Sequence, residues 1–174
     1  TFVATANAVR YTGATPVFAD ITSLEDLNLS PADVERRITA RTRAIVVMHY
    51  GGYPCAMAEI LSLARQYNLV VIEDACQAHG AMYKGRPCGT IGIAGAFSLN
   101  NLKNLCGGEG GLFVTNDEDI LKKGDLVRYF GDECDEKTLR QKYNSSILGY
   151  MYRNQELPAA LARGQLKYLD QHNA

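Results

Sequence analysis

Several short runs of this chain are apolar almost from end to end, and helical patterns separate them. They are Ala44 to Met48, Leu69 to Ile72, and Ala94 to Leu99, with Leu112 to Thr115 and Thr15 to Ala19 as further strand candidates. A strand with no polar alternation is covered on both of its faces. Such strands, joined by single helices, form a sheet with helices packed above and below it. The expected fold class is therefore α/β, a three-layer α/β/α arrangement around a mostly parallel sheet.

The helical segments carry their own signals. Ser30-Pro31-Ala32-Asp33 offers a serine cap, a proline in the first turn and an acid three residues after the cap. Val34 and Ile38 then share a face. Met57, Ile60, Leu61 and Ala64 recur at helical spacing within about residues 55–67. Asp117-Glu118-Asp119 opens a helix through Phe130, with its acids where the helix dipole favours them. Phe2 to Val9 and Pro158 to Leu169 read as two more helices. Residues 131–152 are polar and rich in tyrosine and glycine, and read as an irregular segment.

The 174 residues suffice for a domain with a real core, and 47% hydrophobic with 21% charged residues is a globular composition. A net charge of -1 and the lack of a basic run argue against a nucleic-acid partner. No apolar run approaches the length of a membrane span. Five scattered cysteines without a C-x-x-C pair point to free thiols and a cytoplasmic location. The chain opens without methionine on a helix and closes inside another, the pattern of a piece of a longer protein.

In parallel sheets ligands bind beyond the carboxyl ends of the strands. Asp74, Gln77, Ser98 and Lys103 all fall there. Lys103 lies between a strand and the glycine-rich turn Gly107-Gly108-Glu109-Gly110-Gly111. A lysine so placed is either a solvated loop residue or an amine that forms a Schiff base, since lysine shifts its pKa readily when desolvated. Asp74 is either a helix cap or a carboxylate that keeps a pyridine nitrogen protonated. If the segment is extended, Glu73 points to the opposite side. Acid and lysine together meet what pyridoxal phosphate requires of a protein. Cys76 and His79 lack the further ligands of a zinc site, so no metal is expected. His49 reads as a hydrogen-bonded loop histidine. The glycines fit neither a Walker loop nor G-x-G-x-x-G, which disfavours ATP and nicotinamide cofactors.

Taken in order, Thr1-Phe2-Val3-Ala4-Thr5-Ala6-Asn7-Ala8, Gly13-Ala14-Thr15-Pro16-Val17-Phe18, Ile72-Glu73-Asp74-Ala75-Cys76-Gln77-Ala78-His79-Gly80-Ala81, Phe97-Ser98 through Lys103-Asn104, Gly108-Glu109-Gly110-Gly111 and Gly149-Tyr150-Met151-Tyr152-Arg153 resemble the DegT/DnrJ/EryC1/StrS family of pyridoxal-phosphate-dependent sugar aminotransferases. The resemblance implies a fold-type-I large domain, incomplete here. Residues 1–148 would belong to it, and residues 149–174 would lead by a connecting segment and helix towards a small C-terminal domain.

By matched position, the resemblance makes Lys103 the Schiff-base lysine and proton carrier and Asp74 the partner of the pyridinium nitrogen. Gln77 would contact the ring-hydroxyl side, Ser98 the phosphate, and Phe2 the ring face. The implied reaction moves an amino group from an amino acid, usually glutamate, to a ketone on a nucleotide-linked deoxysugar or related cyclic ketone. A lysine at position 103 favours this over the dehydration carried out by relatives with histidine there. A homodimer is implied as well. Two alternatives share the same residues: a regulatory protein that binds pyridoxal phosphate without turnover, and another pyridoxal-phosphate enzyme such as a lyase or dehydratase.

Overall fold

The structure, a computed structural model, describes residues 2–134 and 141–174. Its centre is a four-stranded sheet built from β1 (Ala44–Met48), β2 (Val70–Asp74), β5 (Ala94–Ser98) and β6 (Gly111–Thr115), ordered β1-β2-β5-β6. β1, β2 and β5 run parallel, and β6 is antiparallel to β5 at one edge. These four strands fall within a residue or two of the apolar runs. The sheet is thus mostly parallel, as expected. Between β2 and β5 lies a small hairpin that the sequence pattern does not announce, β3 (Met82–Tyr83) with β4 (Arg86–Pro87).

Register decides which residues share a face. Val47 pairs with Glu73, which pairs with Gly95 and then Val114; the neighbouring row is Met48, Asp74, Ala96 and Phe113. Residues of one row point the same way and adjacent rows point opposite ways. The Glu73 row faces α2 (Pro31–Arg37) and α3 (Met57–Gln66), where Val34, Val47, Met57, Ile60, Ala64 and Val71 form the main core. Each fully buried side chain there contributes on the order of 1.5–3 kcal/mol.

The opposite face is covered incompletely. α4 (Glu118–Arg128) packs there against Phe113 of β6, close enough that a side chain at Gly124 would press on the ring. Val70 and Ile72, in the middle of the sheet, stay 41% and 36% exposed. Their unbroken apolar character predicts cover on both sides, and in this chain the second cover stops short of them.

Helix caps follow the sequence. Ser30 Oγ accepts from the Asp33 amide at 3.4 Å, and Asp117 Oδ1 accepts from Asp119 and Ile120 at 2.9 and 3.0 Å. α1 (Val3–Tyr11) begins after Phe2 and buries no residue. α5 (Glu156–Gln165) begins earlier than its pattern indicates. It tightens into a 3-10 turn at Leu166–Tyr168 before α6 (Leu169–Asn173).

Two expectations are corrected. Residues 15–19 form no strand, because no ladder partner lies alongside them; Val17 and Phe18 are exposed and Ala19 packs against the core. The region 131–152 is not irregular throughout. β7 (Asp132–Cys134) pairs with β8 (Gln141–Ser145), and the Asp132 carboxylate anchors the pair by accepting from the Tyr143 and Asn144 amides at 2.8 and 2.6 Å. Residues 135–140 of that segment lie outside the described residues.

Asp33 does more than cap α2. Its carboxylate accepts from the Asp20 amide at 2.7 Å, from Arg36 at 2.7 Å and from Arg37 at 2.6 Å. The Arg37 bond first, then the Asp20 amide, hold its carboxyl well below the usual carboxylate range. A depressed folded-state pKa stabilises the fold above the unfolded-state value and loses that stabilisation as pH falls. Asp33→Asn is therefore expected to lower stability at neutral pH and to flatten the loss of stability below about pH 4. Urea midpoints measured from pH 7 down to pH 3 check this; parallel curves for the two proteins would contradict it.

Candidate active site

Two adjacent carboxylates end β2 and face opposite ways. Glu73 is fully buried. It accepts from His49 Nε2 at 2.9 Å and from the amides of Gly89, Ile91 and Gly92 at 2.7, 2.6 and 2.5 Å. His49 Nδ1 in turn accepts from the Cys55 amide at 3.1 Å, which places the ring proton on Nε2. Burial pushes the Glu73 carboxyl up, but His49 and the three amides outweigh it, and the net shift is downward. His49 is thus the hydrogen-bonded histidine its position indicates. It serves the interior of the sheet.

Asp74 lies on the other row, at the carboxyl end of the strand. Its Oδ1 accepts from the Cys76 amide at 3.1 Å, and its Oδ2 accepts from Thr5 Oγ1 at 2.5 Å. No helix follows, so Asp74 is not a helix cap; the Cys76 contact closes a tight turn instead. Gln77 sits in that turn. Its Oε1 accepts from the Gly51 amide at 2.8 Å, which leaves its NH2 group as the donor.

The neighbouring strand β5 supplies the rest. Ser98 is its last residue; the Ser98 carbonyl accepts from His79 Nε2 at 2.7 Å, and its hydroxyl accepts from the Asn100 amide at 3.3 Å. Asn100 shapes the next turn, where its side chain accepts from the Leu102 amide and its carbonyl from the Lys103 amide. Lys103 is half-buried, and among the described residues no carboxylate lies within ion-pair distance of it. Its ammonium acts on two neighbours across the strand gap. It opposes protonation of His79, whose pKa burial already lowers. It also partly offsets the Cys76 thiol, which burial and Asp74 push up to about 12. The bond from His79 to the Ser98 carbonyl ties the turn after β2 to the end of β5, so the two loops form one neighbourhood.

The lysine loop has a floor and a clamp. Leu99 and Leu105 are buried against Ala162 of α5. Asn173 of α6 accepts from Asn104 Nδ2 at 2.7 Å and donates to the His79 carbonyl at 2.8 Å, while His172 reaches the Asn104 carbonyl at 3.2 Å. One short helix thus bridges the loops after β2 and β5. Phe2 stands 63% exposed at the start of α1, one turn from Thr5.

The structure places Asp74, Gln77, Ser98 and Lys103 at and beyond the carboxyl ends of the two central strands, β2 and β5, with Phe2 joined to Asp74 through α1 and Thr5. Sequence reasoning missed Thr5, Gly51 and Asn173. Thr5 is one small polar residue in Thr-Phe-Val-Ala-Thr, and Asn173 lies far along the chain, so neither carries a local signal. Among the described residues no cluster of His, Cys, Asp or Glu could hold a metal ion. Cys55, Cys76, Cys88 and Cys106 are unpaired thiols. No described helix is long and apolar enough to cross a membrane.

The chain is an α/β unit whose mostly parallel sheet places an oriented carboxylate and a half-buried lysine beyond the carboxyl ends of its two central strands. The chain belongs to the DegT/DnrJ/EryC1/StrS aminotransferase family, which it matches over residues 1–174. It is 41% identical over 174 residues to GDP-perosamine synthase of Caulobacter vibrioides, covering 100% of this chain and 45% of that protein. It is 38% identical to dTDP-3-amino-3,6-dideoxy-alpha-D-galactopyranose transaminase of Aneurinibacillus thermoaerophilus, covering 99% and 45%. The aminotransferase structure from Psychrobacter cryohalolentis superposes with a TM-score of 0.89 at 37% identity, covering 98% and 45%. The chain thus spans a little under half the length of these relatives.

The donor set fits pyridoxal phosphate, the cofactor this family implies. Asp74 holds one donor on each oxygen and keeps lone pairs for a third, and Lys103 has no competing carboxylate. Below the site, Glu73→Ala leaves three amides and His49 without their acceptor. It is expected to cost about 3–5 kcal/mol, measured as a shift in denaturant unfolding of the protein. A loss under about 1 kcal/mol would show that the network is dispensable.

Proposed function

We propose that the protein carrying this chain is an aminotransferase. It takes an amino group from an amino acid, glutamate being the favoured donor, and passes it to a keto group of a nucleotide-linked deoxysugar or related cyclic ketone. The observation that carries this reading is Asp74 at the carboxyl end of β2 and Lys103 in the turn beyond the carboxyl end of the adjacent β5, within a chain matched throughout by an aminotransferase family. Relatives named for GDP- and dTDP-linked amino sugars support the acceptor class.

Pyridoxal phosphate, when bound, supplies an aldehyde that takes up the amino group and a ring that acts as an electron sink. Lys103 Nζ would hold the cofactor by its aldehyde and would serve as the base and acid that moves a proton. The Asp74 carboxylate would be the partner of the ring nitrogen. The Gln77 NH2 group would donate to the ring oxygen, the Ser98 hydroxyl would donate to the phosphate, and Phe2 would cover one face of the ring. On this reading residues 1–148 belong to the cofactor domain and residues 149–174 lead towards a smaller one. The protein works as a homodimer in the cytoplasm, which suits its unpaired thiols.

The test uses the full-length protein. Glutamate is expected to convert the bound cofactor to its amine form, seen as loss of the visible absorbance band. Borohydride reduction is expected to fix a pyridoxyl group on Lys103, found by peptide mass spectrometry. Lys103→Ala should abolish that adduct and lower turnover by roughly 10²–10⁴-fold. A visible band that ignores every amino donor would refute the transferase reading.

A further inference from the structure

α1 meets the site through one bond. Helix Val3–Tyr11 buries no residue. Among the described residues, its one side-chain hydrogen bond outside its own neighbourhood is Thr5 Oγ1 to Asp74 Oδ2, at 2.5 Å, between half-buried residues 69 positions apart. The other Asp74 oxygen is held from the opposite direction by the Cys76 amide at 3.1 Å. Two donors on two oxygens fix the plane of a carboxylate; with Thr5 removed, only the Cys76 contact resists rotation about the Cα–Cβ and Cβ–Cγ bonds.

From this geometry we infer that Thr5 is a positioning residue for the cofactor ring. It acts through Asp74 and through Phe2, and the inference rests on the pyridoxal-phosphate reading above. The first effect is on orientation. Thr5 on one oxygen and the Cys76 amide on the other hold the Asp74 carboxylate in one plane. A ring nitrogen in that plane would keep its proton between itself and the carboxylate, and a carboxylate turned out of it would not. The second effect is steric. The Thr5 amide donates to the Phe2 carbonyl at 3.3 Å, so Phe2 sits one helical turn from the anchored hydroxyl. The bond that orients Asp74 also docks the helix end that presents the aromatic ring. α1 buries no residue fully, so removal of the hydroxyl is expected to shift its end relative to the carboxyl end of β2.

The test compares full-length wild type, Thr5→Val and Thr5→Ser, each loaded with pyridoxal phosphate labelled with ¹⁵N in the ring. Solid-state NMR of the labelled nitrogen reports where the proton lies. Wild type and Thr5→Ser are expected to show the protonated ring resonance. In Thr5→Val the resonance moves towards the unprotonated position and cofactor dissociation rises roughly tenfold, the scale of a lost hydrogen bond to a charged group. Turnover falls with it, and Thr5→Ser returns it to within about threefold of wild type. Thr5→Ala gives the same readout should the valine variant not fold. A Thr5→Val protein with unchanged ring resonance and affinity overturns the role of Thr5 and leaves the cofactor reading standing. Wild type that binds no pyridoxal phosphate overturns both.

Discussion

The buried carboxylate of Glu73 is what the rest of this architecture hangs on. A charge inside the sheet is costly unless its lone pairs are filled. Here they are filled by His49 and by the amides of Gly89, Ile91 and Gly92. Those four donors come from the segment after β1 and from the segment that leads into β5. The carboxylate therefore ties the carboxyl ends of β1 and β2 to the segment that enters β5 at its amino end. Close packing makes the tie tight. A side chain at Gly95 would collide with the Gly89 carbonyl, and one at Gly89, where φ is +87°, would strike the Phe97 ring.

Alternation along a strand converts that tie into a site. With Glu73 locked inwards, Asp74 must face the other way, at the place where the sheet opens. The two acids are adjacent in sequence, yet one is a buried anion satisfied by four donors and the other is held by two donors at the strand end. Their roles are set by the donors that reach them. Register carries the same logic across the sheet, since the Asp74 row runs into Ala96 and Phe113 and leaves no large side chain between Asp74 and the Lys103 loop along β5.

Much of this was legible in the residues. Uninterrupted apolar runs located β1, β2, β5 and β6, and capping residues located α2 and α4, because those signals are local. The opposed faces of Glu73 and Asp74 followed from strand periodicity alone. What failed to show was anything decided by a partner. Residues 15–19 have strand-like composition but no neighbouring strand. Asp132 organises β7 and β8 through amides eleven and twelve residues on, and nothing in the polar segment announces that. Thr5 and Asn173 each reach a site loop across a long stretch of chain.

Those long reaches bear on how the site holds its shape. Lys103 lies in a turn whose apolar floor includes Ala162 and whose polar clamp is Asn173, both from the last quarter of the chain. Asp74 is oriented from the other end, by Thr5. Lys103 and Asp74 are thus positioned by the first and last helices of this chain, each short and mostly exposed. Short helices owe their order to tertiary contacts far more than to propensity. The sheet core, stabilised by Glu73 and its apolar neighbours, sets where the strand ends lie. The geometry of the reacting groups depends on the docking of α1 and α6, and contacts this few open at lower free energy than the core. Loosening either helix therefore disturbs the site long before it disturbs the sheet.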